Sequence, residues 1–130
     1  MPETAFHVAV VDDDLPVLTA LARLLSASSF DPAIYESAQE FIESLKFSVP
    51  ECLVVDIHMP DMNGIELQNH LTCQGFRIPT IVITARDDLE LRAQAAAAGA
   101  IEFLVKPLPE TRIVDALRKV TRKTRASSEQ

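Results

Sequence analysis

A chain of 130 residues is expected to form one domain, and with 48% apolar residues it can bury a core without disulfides or metals. Its 12 basic against 19 acidic side chains give a net charge of -7. That balance argues against this domain gripping nucleic acid, because phosphate contacts need a basic surface; it suits a cation site or a basic protein partner. No apolar run approaches the roughly 20 residues that span a bilayer. The start "MPETAFHVAVV" lacks the basic residues and long apolar stretch of a signal peptide, so a cytoplasmic protein is expected. Cys52 and Cys73 stand in unrelated contexts and read as two reduced, partly buried thiols.

Five short apolar runs alternate with five helix-like segments. The first run, "HVAVV" at 7–11, reads as a strand buried on both faces and leads into Asp12, Asp13 and Asp14. A helix follows, with Pro16 in its first turn and Leu18, Leu21, Ala22 and Leu25 at helical spacing. Asp14 precedes it in the position of an N-cap. The second run is "AIY" at 33–35, and "SAQE" then opens a helix as a capping box of Ser37 and Glu40, with Ala38, Phe41, Ile42 and Leu45 inward. "CLVV" at 52–55 is the third strand. After "MPDMNG", in which Asp61 reads as a turn residue, comes a helix keeping only Leu67 and Leu71 as a firm apolar pair.

"TIVI" at 80–83 is the fourth strand, and the Ala-rich "DDLELRAQAAAAG" is a weakly amphipathic helix ended by Gly99. The last run, "IEFLV" at 101–105, carries Glu102 and suits an edge strand. The fifth helix aligns Ile113, Ala116, Leu117 and Val120. The expected domain is 1–122, with 123–130 as a C-terminal linker or tail.

Strict β/α alternation implies a doubly wound parallel α/β sandwich, in which ligands bind beyond the carboxyl ends of the strands. Asp12 and Asp13 end the first strand, Asp56 the third, Thr84 the fourth and Lys106 the fifth, so all five meet at one edge. Three carboxylates there raise one another's pKa, and a hard divalent cation such as Mg²⁺ removes the conflict. A carboxylate oriented in this way is a nucleophile toward phosphorus, with Lys106 and Thr84 available to the transferred oxygens. His7 and His70 share no ligand spacing and read as structural or surface residues, and the side chain of His58 reaches at most the rim of the site.

"VVDDD", "VVDIHMPDMNG", "IVITA" and "FLVKP" resemble, in order and spacing, the signature blocks of the response-regulator receiver domain of two-component signalling, from about residue 5 to residue 122. The resemblance implies a flavodoxin-like (CheY-like) (βα)5 fold with strand order 2-1-3-4-5. It implies that Asp56 is the phosphoacceptor, and that Asp12, Asp13, Asp56 and the backbone carbonyl of His58 hold Mg²⁺. By the same resemblance Thr84 and Lys106 bind the phosphoryl group, Phe103 is the aromatic switch residue, and Lys106–Pro107 is a cis peptide. Such a domain catalyses its own phosphorylation and dephosphorylation but is not a turnover enzyme.

"YESAQEFI", "IPTIVITA" and "AAAAGAIEFLVKP" resemble the FixJ-like receivers in particular. These imply a sensor histidine kinase as phosphoryl donor and a phosphorylation-dependent homodimer through the fourth helix, fifth strand and fifth helix. They also imply a LuxR-type DNA-binding output domain beyond residue 130. The chain departs from that pattern with "ARD" at 85–87 and with Leu108 after the Lys–Pro pair. His58 and Arg86 occupy positions that set dephosphorylation rate in the family and leave the signal's lifetime open. The rivals are an Mg²⁺-dependent phosphatase with an aspartyl nucleophile, which wants an acid where His58 stands, and a non-phosphorylated interaction module on the same fold.

Overall fold

The computed structural model describes residues 5–107 and 110–128. Its elements are β1 (Phe6–Val11), α1 (Leu15–Ala27), β2 (Phe30–Tyr35), α2 (Ala38–Ser44), β3 (Cys52–Asp56), α3 (Gly64–Cys73), β4 (Thr80–Thr84), α4 (Leu89–Ala97), β5 (Ala100–Val105) and α5 (Glu110–Ser128). Every strand pairing is parallel, and the order is β2-β1-β3-β4-β5. This is the doubly wound sandwich that the alternation of runs and helices implies.

The period of two along a strand sends successive side chains to opposite faces. Val8 and Val10, with Cys52, Val54, Ile81 and Ile83, pack beneath α1 and α5. Ala9 and Val11, with Leu53, Val55 and Val82, pack beneath α2, α3 and α4. Apart from His7 at the start of β1, both faces of β1, β3 and β4 are therefore dry, which is why those runs carry so little polarity. Full burial of one large aliphatic side chain contributes about 1.5–3 kcal/mol. By that measure α1, with Leu18, Leu21 and Leu25 buried, is held far more firmly than α4, where Ala95 alone is buried.

Several local details differ from the sequence reading. β2 begins at Phe30 rather than residue 33 and includes Pro32, which an edge strand tolerates because one row of its N–H groups needs no partner. Phe30 is drawn in by Phe6, whose ring it meets edge-on at 6.2 Å. Only half of the expected capping box forms at α2: the Ser37 hydroxyl accepts from the Glu40 N–H at 3.1 Å, with Gln39 rather than Glu40 extending the side-chain bonding, to Glu43. The complete box is at α3, where Asn63 accepts from the Glu66 N–H at 2.8 Å and Glu66 accepts from the Asn63 N–H at 2.9 Å. Asn63→Ala is expected to cost about 1 kcal/mol, read by urea denaturation.

α5 continues to Ser128, so the expected boundary after residue 122 falls inside a helix and residues 123–128 extend it. Leu108 and residues 129–130 lie outside the described residues. Cys52 is fully buried, with its thiol pushed up to about 12 by burial, whereas Cys73 is exposed. The expectation of two partly buried thiols therefore holds for neither. His7 pairs with Asp31 at 2.9 Å near the starts of β1 and β2, a structural contact at the opposite end of the strands from Asp12 and Asp56. Gln68 is buried between α3 and α4, and its amide N–H meets the Ala95 carbonyl, in the last turn of α4, at 3.4 Å. No described helix is long and apolar enough to cross a membrane.

The pairing of β5 with β4 is irregular at its start. Thr80 pairs with Ala100, but Ile81 pairs with Glu102, so Ile101 is an inserted residue. An insertion reverses the alternation beyond it. Phe103 consequently lies beside Val82 on the α4 side instead of turning toward α5.

Candidate functional site: an acidic strand edge with one lysine

Sheet register builds the site. Val11 is paired with Val55, so the next residues of β1 and β3, Asp12 and Asp56, emerge side by side from the sheet. Asp56 is in turn paired with Ile83, and Ile83 with Leu104, which sets Thr84 and the end of β5 on the far side. Both carboxylates belong to the row that faces α1 and α5, continuing the alternation of Val10 and Val54. Apolar neighbours on that face leave Asp12 fully buried and Asp56 6% exposed.

The three identical residues after β1 have different surroundings. Asp12 accepts the Asp14 N–H at 3.0 Å with one oxygen and holds the Lys106 ammonium at 3.0 Å with the other. Asp13 is exposed and lies at the mouth of the site. Asp14 caps α1, its carboxylate accepting from the Val17 N–H at 3.4 Å. The position anticipated for it as a cap is the one it occupies.

Asp12, Asp13 and Asp56 present carboxylate oxygens that all lie within 4.8 Å of one another. Lys106 reaches Asp56 as well, at 3.8 Å. One ammonium does not offset three carboxylates, and the result is visible on Asp56. Its pKa is raised from 3.8 to about 6, first by burial and then by the charge of Asp12; Lys106, His58 and the His58 N–H pull the other way without prevailing. A partly dry pocket with surplus negative charge and oxygen ligands only is a fit for a hard divalent cation, which takes few carboxylates and retains water.

The other residues anticipated for the site stand on the neighbouring strand ends and loops. Thr84 is fully buried at the end of β4, and its hydroxyl oxygen accepts the Arg86 N–H at 3.2 Å. His58 is exposed, two residues past Asp56. Lys106 is fixed from both sides: its N–H donates to the Thr84 carbonyl at 2.7 Å, and the following peptide to Pro107 is cis. Phe103 is half-buried against the α4 side, one strand away from Thr84 and on the same face. Asp61 adopts a left-handed turn conformation with φ of 70°, in keeping with a turn role.

Two contributors escaped the sequence reading. Gly64 donates its N–H to the Ile57 carbonyl at 2.9 Å, and a Cβ there would lie 2.6 Å from the Asp56 carbonyl oxygen, so glycine lets the loop after β3 fold back on the phosphoacceptor candidate. The second is Arg92 on α4. Its guanidinium sits 4.5 Å from the centre of the Phe103 ring and pairs with Asp87 at 3.1 Å. The pattern Asn63-x-x-Glu66 could have marked the capping box that starts α3 at Gly64; nothing in the linear pattern marks Arg92.

The sequence model of the family described as "Response regulator receiver domain" matches residues 8–118. The chain is 36% identical over 118 residues to the transcriptional regulatory protein FixJ of Rhizobium meliloti (strain 1021), covering 91% of this chain and 58% of that protein. It is 33% identical over 118 residues to the response regulator protein TodT of Pseudomonas putida, covering 91% of this chain and 52% of that protein. The chain thus spans a little over half the length of these curated relatives. Among solved structures, FixJ-N is 34% identical with a TM-score of 0.84, over 92% of this chain and 96% of that one. Full-length FixJ from B. japonicum is 29% identical with a TM-score of 0.88, over 98% of this chain and 63% of that one.

Proposed function

Because this chain belongs to the response regulator receiver domain family of two-component systems, within which its relatives include FixJ and other transcription regulators, we propose that Asp56 accepts a phosphoryl group. The observation that carries this reading is the convergence of Asp56 with Asp12, Asp13 and Lys106 at one strand edge. One Asp56 carboxylate oxygen attacks phosphorus of a phosphohistidine or a small acyl phosphate; the O–P bond forms as the P–N or P–O bond to the donor breaks. The leaving imidazole or carboxylate departs with its electron pair, and Asp56 is left as an acyl phosphate.

Asp12, Asp13 and the His58 carbonyl would hold Mg²⁺ beside Asp56, and the ion, when bound, neutralises the crowded carboxylates and the transferred phosphoryl oxygens. Lys106 supplies a point charge to those oxygens, and Thr84 a hydroxyl donor once it turns from the Arg86 N–H. Phe103 then moves into the space on the same face that Thr84 leaves. The consequence is a population shift, in which phosphorylation favours one of two pre-existing arrangements of α4, β5 and α5. That surface then presents a homodimer interface or an output contact.

The proposed setting is a cytoplasmic protein with a sensor histidine kinase as donor, a LuxR-type DNA-binding output domain beyond residue 130, and a domain proper ending near residue 122. Mass spectrometry after treatment with acetyl phosphate and Mg²⁺ tests the reading. One added phosphoryl group is expected on the wild type and none on Asp56→Asn. An unmodified wild type, or a modified Asp56→Asn, overturns it. Steady turnover of a generic phosphate ester would instead point to the aspartyl phosphatase.

A further inference from the structure

We propose that Arg92 is a positioning residue that couples the Thr84 loop to Phe103 and thereby sets how readily the domain switches. The inference rests on Asp56 being the phosphoacceptor and adds the part by which one movement is passed to the other. Its basis is a chain of contacts that begins at Thr84 and ends at Phe103. The Thr84 hydroxyl oxygen accepts the Arg86 N–H at 3.2 Å; the next residue, Asp87, pairs with Arg92 at 3.1 Å; and Arg92 lies over the Phe103 ring at 4.5 Å. The pairing of β5 with β4 sets both ends of this chain on one face of the sheet, with Phe103 opposite Val82 and Thr84 opposite Val105.

A cation over a ring face is attracted by the negative centre of the π-system, and arginine stacks there while keeping N–H groups free for a carboxylate. Arg92 makes both contacts at once. Phe103 is therefore held in its present position by a group whose own orientation depends on Asp87. Asp87 belongs to the loop that must move when the Thr84 hydroxyl leaves the Arg86 N–H. Displacing that loop withdraws the anchor of Arg92 and frees the ring; turning the ring removes the seat of Arg92 and frees the loop. Coupling of this kind is reciprocal.

α4 is suited to such a part, since Ala95 is its one fully buried residue and side-chain contacts at its rim weigh heavily in its placement. Arg92 is 45% and Asp87 66% exposed, so the tether is weak enough to be broken in normal operation. A stronger one would lock the domain.

The test uses the full chain labelled with ¹³C-phenylalanine, titrated with beryllofluoride and Mg²⁺, the phosphoryl mimic, in wild type, Arg92→Gln, Arg92→Lys and Asp87→Asn. In free Arg92→Gln the Phe103 ring signal, assigned with Phe103→Leu, is expected to move toward its position in beryllofluoride-treated wild type. Apparent affinity for beryllofluoride should rise about two- to fivefold, the range a contact of this strength supports. Arg92→Lys and Asp87→Asn, each keeping one of the two contacts, should fall between. A merely structural role for Arg92 would lower thermal stability and leave the Phe103 signal and the affinity at wild-type values, which overturns the inference. A wild type that does not respond to beryllofluoride with Mg²⁺ overturns the phosphoacceptor reading itself, and is distinguished by failing before any variant is compared.

Discussion

In metal-free protein, the stability advantage of Asp56→Asn over the wild type is expected to open by about 2–3 kcal/mol as pH rises from 4 to 7, following a pKa raised from 3.8 to about 6. In the unfolded chain Asp56 titrates near its ordinary value. In the folded protein it binds its proton more tightly, because burial and the Asp12 charge both disfavour the carboxylate. Below the ordinary value both states are protonated and nothing is lost. Across the window between 3.8 and about 6 the unfolded state gives up its proton first, so wild-type stability falls with rising pH. Above it both states are ionised, and the folded one carries the full cost. Asparagine has no such step, so the difference between variant and wild type isolates this group from the other acids.

Urea denaturation at a series of pH values, with a chelator present, measures that difference directly. A gap independent of pH would show that Asp56 is not the strained carboxylate. Adding Mg²⁺ at neutral pH should reverse the order. An ion at a hundred times its Kd stabilises a folded protein by about 2.7 kcal/mol, and Asp56→Asn forfeits most of that gain along with a ligand. The same local surplus of negative charge that is expected to destabilise the bare fold would thus give the proposed cation its affinity. Surface ion pairs such as Arg92–Asp87 contribute at most about 1 kcal/mol, so the effect at Asp56 should dominate the electrostatics of the domain.

Much of this geometry was legible in linear order. The strands β1, β3 and β4 declare themselves because burial on both faces leaves their middles apolar (Val8–Val11, Leu53–Val55, Ile81–Ile83), and the next residue along each is where Asp12, Asp56 and Thr84 emerge. Asp14 was legible as a cap because it stands one residue before a leucine–proline start. What stayed hidden depends on contacts between distant segments. β2 is extended toward its start by the Phe6–Phe30 contact, which no local pattern announces. The Ile101 insertion that turns Phe103 toward α4 is a property of pairing with β4, and Arg92 acquires meaning only once that turn has placed a ring beneath it. Glu40 satisfies a capping-box pattern, yet its side chain does not close the box. Spacing shows which partners are available, and the fold chooses among them.

Gly64→Ala should be the most damaging single-methyl change near the site, with a net loss of about 2 kcal/mol in urea denaturation. Two effects oppose each other. Alanine is the better helix former by about 1 kcal/mol in a helix interior, and Gly64 opens α3, where part of that gain would apply. Against it, the added carbon would stand 2.6 Å from the Asp56 carbonyl oxygen and 3.1 Å from both the Asp56 carbonyl carbon and the Ile57 Cα. Those neighbours are backbone at the end of a central, fully buried strand, so no side chain can rotate out of the way. Overpacking of this kind costs about 1–3 kcal/mol or more.

Nor can the helix start retreat freely, since the Gly64 N–H is bonded to Ile57 and the Asn63–Glu66 box fixes the turn around it. Relief must come from the loop between β3 and α3 moving away from Asp56. That loop carries His58, whose N–H supports the Asp56 carboxylate and whose carbonyl is the proposed third protein ligand. The variant should therefore bind Mg²⁺ more weakly, by about tenfold for a misplacement costing 1.4 kcal/mol, in addition to its lower stability. A Gly64→Ala protein with wild-type stability would mean that the strand end yields easily. The close approach of the α3 start would then have no part in holding Asp56 and His58 in place.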